Sequence, residues 1–481
     1  MTRRHVRLGS TTTEDATLLA QGFAAIRAEL EVPVGFSPEV LAAADAAVGR
    51  DAYPEEREDL RAVDFLTIDP PGSMDLDQAL HLSRRDGGYR LRYAIADVAA
   101  VLAPGGVLDA EARRRVETLY GPDGRTPLHP PTLSEGAASL LPGQERPALV
   151  WTMDLDAEGE AQAVDVSRAL VRSTRRWTYA EVQAALDAGG LQDGESLALL
   201  AEVGALREAR ERERGGVSLP IPEQEVEQVE GGYRLSYRVP LPVEGWNAQV
   251  SLLTGMVAAD LMLHGEVGVL RTLPDAPAGA LTALRRTAVA LGVAWPAEVT
   301  YPELVHSLDH RDPAAIALVQ ESTSLLRGAG YVNFDGSLPD NVRHSAVAAP
   351  YAHVTAPLRR LVDRFGLEVC VALCQDRDIP DWVRLALPEL PALMSRGDAW
   401  ASAHERAVLD LVEAVVLRHA VGREFDGVVV DVSRNGQGGT VQLIDPAVRA
   451  RCQGPLPLGQ RVRVRLVDVS VEARSTHFAL S

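Results

Sequence analysis

Residues 64–80 read Asp-Phe-Leu-Thr-Ile-Asp-Pro-Pro-Gly-Ser-Met-Asp-Leu-Asp-Gln-Ala-Leu. The apolar Phe65, Leu66 and Ile68 predict a strand, and Pro70-Pro71-Gly72-Ser73 turns the chain out of it. Asp69, Asp75 and Asp77 then lie at a strand end and on the loop that leaves it, with the amide of Gln78 beside them. Three anions this close repel one another unless a positive charge stands between them. A hard divalent cation meets that need, because it prefers carboxylate and amide oxygens. Three readings compete. An Asp-x-Asp alone is more often a solvated turn. A calcium loop lacks its spacing and its distal Glu here. A magnesium site for phosphate chemistry needs a basic partner elsewhere in the chain.

Such a partner stands at residues 350–365, Pro-Tyr-Ala-His-Val-Thr-Ala-Pro-Leu-Arg-Arg-Leu-Val-Asp-Arg-Phe. A helix is predicted over 355–376, so His353, Thr355 and Arg359 precede or open it, with Pro357 in its first turn. Free amides at a helix start bind anions, and an arginine there clamps phosphate bidentately. Arg343, His344 and Ser345 add basic and polar groups upstream. An acidic metal cluster with an arginine-bearing helix start is what phosphodiester hydrolysis requires. The metal activates water and the guanidinium neutralises developing charge.

The 481 residues carry a net charge of −19, which taken globally argues against a nucleic-acid binder, although a charged channel can be local. All 48 basic residues are arginine, the side chain that both forks onto phosphate and stacks on bases. No apolar stretch is long enough to span a bilayer, and the basic N-terminus lacks the apolar region of a secretory signal. Three cysteines, Cys370, Cys374 and Cys452, fit a reducing cytoplasm.

Three regions are expected. Residues 1–60 form a helical appendage, with a capping box at Thr11 and Glu14 and a second helix begun by Ser37-Pro38. Residues 61–420 alternate strands and helices as a catalytic domain. Residues 421–481 hold short alternating strands and an Asn435–Gly439 hairpin turn, which suggests a small barrel of the OB type. Arg461, Arg463 and Arg465 alternate along one strand and so share one face, a candidate strand-tracking surface.

Thr67-Ile68-Asp69 and Asp75-Leu76-Asp77, taken with Thr355-Ala-Pro-Leu-Arg-Arg360, resemble the RNB catalytic domain of ribonucleases II and R. Ala94–Val98, Leu133-Ser134, Ser139–Gly143, Val171–Ser173 and Asn247–Gln249 fit the same pattern, and the terminal barrel resembles the RNA-binding OB domain that ends these enzymes. The resemblance implies an α+β fold, with a mixed sheet wrapped by helices around a deep channel, followed by the small barrel. It implies processive 3′→5′ hydrolysis of RNA to nucleoside 5′-monophosphates, with magnesium, or manganese in its place. Carried over residue by residue, it makes Asp69, Asp75 and Asp77 metal carboxylates, with Asp77 the most critical. Gln78 stands where many members carry a fourth Asp, and its amide oxygen is the remaining ligand. Arg359 contacts the scissile phosphate, Glu405 holds the 3′-terminal nucleotide, Tyr120 stacks at the 3′ end, and Tyr179 lines the site. Leu219 aligns with a phenylalanine clamp of some members, so stacking at the channel mouth is weaker.

Family members usually carry cold-shock-type barrels ahead of the catalytic domain, and sixty helical residues cannot hold them. The expectation is a different gate, built from helix-turn-helix-like N-terminal helices and admitting single-stranded RNA with adjoining duplex. Two rival classes remain. One is a binding-only RNA chaperone with a degenerate catalytic domain, which Gln78 keeps open. The other is a phosphohydrolase of small nucleotides, which has no need of a strand-tracking barrel.

Overall fold

The computed structural model describes residues 13–191, 195–218, 223–229, 232–238, 240–308, 312–433, 436–443 and 445–481. Thr11 of the expected capping box, Leu219 of the expected clamp position and Asn435 of the expected turn lie outside them.

Five strands organise the first part of the chain: β1 (Phe65–Ile68), β2 (Gln78–Arg85), β3 (Gly88–Ala96), β4 (Glu145–Asp156) and β5 (Ala161–Trp177). β1 to β4 pair antiparallel in sequence order. The long β5 pairs with β4 antiparallel along Ala161–Arg172 and with β1 in parallel along Ser173–Trp177, so the sheet is mixed and closes on itself. The ring feeds two cores, because successive strand residues face opposite ways. Leu80, Leu82, Leu91, Tyr93, Trp151 and Met153 join the core that the helices Pro242–His264 and Leu361–Cys374 pack against. Phe65, Ala79, Ala94, Ala148 and Ala169 join another, with Val40, Ala44 and Ala47 of the helix Pro38–Ala47. Each large side chain buried this way contributes about 1.5–3 kcal/mol.

The helix Pro38–Ala47 begins as its sequence dictates, with Ser37 Oγ accepting the Val40 N–H at 3.3 Å and proline in the first turn. The helix Thr13–Glu29 is not a free appendage. Leu19, Phe23 and Ile26 share a core with Leu411 and Val415 of the long helix Leu390–Leu417 and with Phe425 and Phe478 of the terminal barrel. That barrel comprises β6 (Glu424–Val432), β7 (Gly438–Leu443), β8 (Arg449–Gln453), β9 (Arg461–Ser470) and β10 (Ser475–Leu480), closed in the order β6-β7-β8-β10-β9.

Two elements differ from the sequence reading. Gln78 opens a strand rather than ending a loop. The helix expected from residue 355 starts only at Leu361. The cause is a pair of buried carboxylates. Asp77 accepts the Leu358 N–H at 2.7 Å, and Asp363 accepts the Ala356 N–H at 2.6 Å. These amides are spent on protein anions, so Thr355–Arg360 is a pinned loop and not an open helix start awaiting phosphate. Pro357, with no N–H, suits the residue between them.

Candidate active site

The acidic loop leaves β1 after Ile68 and returns at Gln78. Its start is fixed by Asp69 N–H to the Trp177 carbonyl at 3.0 Å. Its end is stitched by Ser139, whose Oγ accepts the Leu76 N–H at 3.0 Å and donates to the Met74 carbonyl at 2.6 Å. Arg176 donates to the Ser73 carbonyl at 2.6 Å. These contacts hold the three carboxylates on one wall although the loop itself has no regular structure.

The opposite wall is the loop Thr355–Arg360. Besides its bond to Leu358, Asp77 faces Arg359, with Oδ2 and Nε 3.6 Å apart. Gln78 Nε2 donates to the Thr355 carbonyl at 2.6 Å. Thr355 Oγ1 lies 2.9 Å from Ser251 Oγ, so the helix Pro242–His264 backs the loop. The backbone of Arg359 is gripped from a third side, since Thr118 N–H donates to its carbonyl at 3.0 Å and Leu361 N–H donates to the Val116 carbonyl at 2.9 Å. Val116 has φ of +68°, a strained value for a β-branched residue. Glu117 N–H donates to the Arg115 carbonyl at 2.8 Å, which closes a tight γ-turn here. The strain turns the chain so that Val116–Thr118 runs against Arg359–Leu361.

Beyond Thr118 a small hairpin, Leu119–Gly121 with Gly124–Thr126, reaches over the acidic loop. Tyr120 Oη donates to Asp75 at 3.2 Å, and Arg125 pairs with both Asp75 and Glu135. Arg125 was not foreseen from sequence, yet a signal existed. Pro122-Asp123-Gly124 is a turn that sets Tyr120 opposite Arg125, so their side chains share a face. The desolvated Tyr120 hydroxyl, next to Asp75, titrates well above its ordinary range, while much of the side chain stays exposed.

The other expected residues are scattered around this centre. Tyr179 begins the helix Tyr179–Asp187, accepts from Asn247 Nδ2 at 3.3 Å and feels the charge of Asp69. His353 makes no hydrogen bond to the acidic loop among the described residues. Its Nδ1 shares a proton with Tyr331 Oη at 2.8 Å, between the rings of Tyr331 and Tyr351. Burial drives its pKa far down and keeps it neutral, as suits an aromatic packing partner. Glu405 is exposed on the helix Leu390–Leu417, beside His404, which packs near Gly121 of the hairpin. Arg343 stands apart, 3.8 Å from Asp275. On the barrel, Arg461, Arg463 and Arg465 share the outward face of β9. Arg463 and Arg465 also face Asp426 at 3.4 Å and Glu424 at 3.1 Å, so the basic row is partly neutralised by an acidic neighbour strand.

The donor set suits a divalent cation in two respects. Asp69 Oδ2 is buried without a hydrogen-bond partner among the described residues. Burial, reinforced by Asp75, pushes Asp69 up to about 6, and burial pushes Asp77 up to about 8 against the pull of Arg359. Carboxyls so disfavoured as anions gain from a bound cation. In a third respect the cage is incomplete. No three His, Cys, Asp or Glu residues converge as a ready ligand set among the described residues. Asp75 is already engaged by Arg125, and the Gln78 amide nitrogen is turned to Thr355. This fits an ion that takes part of its oxygen shell from water and a substrate phosphate, as magnesium commonly does.

His129 adds a pH dependence. Its buried Nε2 lies 3.2 Å from the Pro357 carbonyl, and burial lowers its pKa to about 4. The neutral ring supports the arginine loop above the unfolded value of about 6.5, and this stability is lost as pH falls toward about 4. The melting temperature is therefore expected to drop across that window, and His129→Gln to flatten the drop. Parallel curves for both proteins would refute the assignment.

A closed mixed sheet carrying an acidic loop against an arginine loop, trailed by a five-stranded barrel, defines an α+β domain of the RNB type. Residues 57–366 match the RNB domain and residues 423–481 match the RNase II-type exonuclease C-terminal S1 domain, so the chain belongs to the RNB family. It is 28% identical to ribonuclease R of Escherichia coli (strain K12) over 494 aligned positions, covering 90% of this chain and 58% of that protein. It thus spans little more than half the length of that relative. The apo structure of Mycoplasma genitalium RNase R superposes with a TM-score of 0.86 at 18% identity, covering 96% of this chain and 78% of that one. Yeast Ssd1, described as a pseudonuclease, superposes at 0.69 with 17% identity over 87% of this chain and 53% of that one.

Proposed function

We propose that this chain is a metal-dependent 3′→5′ exoribonuclease, which hydrolyses RNA processively and releases nucleoside 5′-monophosphates. The observation that carries the reading is the meeting of two motifs 281 positions apart, with Asp77 accepting the Leu358 N–H at 2.7 Å and facing the Arg359 guanidinium. Asp69, Asp75 and Asp77 would hold magnesium, or manganese. The bound ion supplies a nucleophilic water at neutral pH and a counter-charge for the phosphate. The chain's own residues do the rest. Arg359 projects from its pinned loop into the site and neutralises charge that develops on the phosphate. Tyr120 offers an exposed ring on which the 3′-terminal base stacks. Tyr179 lines the site, and Glu405 receives the terminal nucleotide. Thr355 and Gln78 keep the two walls in register. His353 and Arg343 are assigned supporting places along the RNA path, and Arg461 and Arg463 a contact with the strand outside.

RNA as substrate is supported by the family and by the M. genitalium RNase R, which has been solved with ribose-methylated single-stranded RNA and with double-stranded RNA. The reading extends to RNA with adjoining duplex, because residues 13–47 present helices beside the hairpin that carries Tyr120, with Arg27 paired to Asp123 at 2.7 Å. A cytoplasmic setting is supported by three free cysteines, and no described helix is long and apolar enough to cross a membrane.

The second reading is an RNA-binding protein without turnover. The Arg125–Asp75 pair favours it, since it occupies a carboxylate that a metal would use. One experiment separates the two. End-labelled poly-adenylate and a hairpin with a 3′ overhang are incubated with magnesium, with and without chelator. Exonuclease action yields monomers with few intermediates and stops on chelation. Intact RNA in both lanes supports binding alone, and arrest well before the duplex removes the extension to structured RNA.

A further inference from the structure

A cleft of about 420 Å³ opens between the helices Ser196–Glu213 and Pro242–His264 and the turn at Glu160. It lies at the other end of β5 from Trp177, the residue that anchors Asp69, and so apart from the acidic loop. Three guanidinium groups line it: Arg207, Arg210 and Arg214. Arg207 is 2% exposed, donates to the Gly159 carbonyl at 2.8 Å and pairs with Glu160 at 3.0 Å. Arg210 pairs with Glu213 at 2.9 Å. Arg214 differs. Its Nε donates to the Val347 carbonyl at 2.8 Å, but Nη1 and Nη2 are both buried without a partner among the described residues. The Nε atoms of Arg207 and Arg210 are buried and unpartnered among the described residues as well. A guanidinium desolvated on its whole terminal edge is costly unless something accepts from it.

The geometry points to a binding site for a phosphate-bearing small molecule of mononucleotide size. The unmet donors come from three arginines. A carboxylate offers two oxygens, whereas a phosphate monoester offers three terminal ones and two negative charges, which suits a forked Arg214 flanked by two further N–H groups. Glu211 and Glu160 attract Arg214 through space, but Glu211 accepts from Ser218 and Gln249 and Glu160 pairs with Arg207, so the Nη1 and Nη2 donors of Arg214 stay open among the described residues. Asp260, on the facing helix, is an acceptor for an amino or hydroxyl group of the same ligand, and Met256 gives it an apolar wall. The volume lies in the range of small-molecule pockets, roughly 300–1,000 Å³. The inference does not depend on hydrolysis at the acidic loop.

The test is calorimetric titration of the full chain, in chelator, with adenosine 5′-monophosphate and separately with inorganic phosphate. Saturable binding of either ligand at one site is expected. Equal affinities identify a bare oxyanion site, and tighter nucleotide binding identifies a nucleotide site. Arg214→Met should weaken binding roughly tenfold or more by removing the bidentate contact. Arg210→Gln, a less buried change that spares the fold if Arg214→Met does not, should weaken it less. Arg359→Ala should leave it unchanged. No binding to the wild type, or loss on Arg359→Ala with none on either cleft variant, overturns the proposal.

Discussion

Asp77→Asn is expected to abolish hydrolysis while leaving RNA bound. In the folded protein Asp77 is 4% exposed, and burial raises its carboxyl to about 8. An asparagine fits the same space and still accepts the Leu358 N–H through its oxygen, so the arginine loop stays pinned. It carries no charge, which relieves the desolvation penalty and removes one anion facing the phosphate. Both effects favour the fold and RNA binding. What is lost is a charged ligand for the cation that activates water, and turnover should fall roughly a thousandfold or more, about 4 kcal/mol of barrier. Single-turnover cleavage of a labelled oligonucleotide measures the first effect, and a gel-shift in chelator measures the second. Turnover comparable to wild type would remove Asp77 from the chemistry. Loss of binding together with activity would make its role structural.

The parts of this site that sequence discloses are those set by local chemistry. Asp69, Asp75 and Asp77 stand out because Pro and Gly around them break any regular element, leaving carboxylates with no local reason to cluster. Arg359 stands out for the same kind of reason. The Ser37 cap and the strands from Tyr89 onward follow from side-chain preference and period. What sequence hides is the use of backbone groups by distant residues. The amides of Ala356 and Leu358 look free in a linear reading, and only the fold brings Asp363 and Asp77 to them. Gln78 looks like a weakened metal ligand, yet its nitrogen faces a carbonyl 277 positions away. The amide nitrogen donates across the gap to that carbonyl, a contact that no carboxylate oxygen can make. The closure of β5 onto both β4 and β1 is likewise invisible locally, because one long strand changes partner part-way along. The arginines of β9 were legible as a row, but not their acidic partners on β6, which antiparallel register alone supplies.

Arg359→Ala is expected to cripple turnover with little effect on folding. The side chain is 45% exposed, and its contact with Asp77, at 3.6 Å, is too long for a strong hydrogen bond. The loop's position rests instead on backbone bonds to Thr118 and Val116 and on Asp363, none of which needs the guanidinium. The alanine protein should therefore melt close to wild type. Its loss of kcat should be about a hundredfold to a thousandfold, the usual effect of removing one preorganised donor from a developing anion. Lysine should restore only part of this, because an ammonium cannot fork onto two phosphate oxygens. A second readout separates this role from simple RNA attraction. Arg359 holds the Asp77 carboxyl down against burial, so its removal lets that pKa climb further. The Asp77 carboxyl, titrated by NMR in chelator, should then ionise at higher pH in Arg359→Ala and be displaced much less in Arg359→Lys. A variant that only raises KM, with kcat and the Asp77 titration unmoved, would show that Arg359 merely attracts the strand and takes no part at the reacting phosphate.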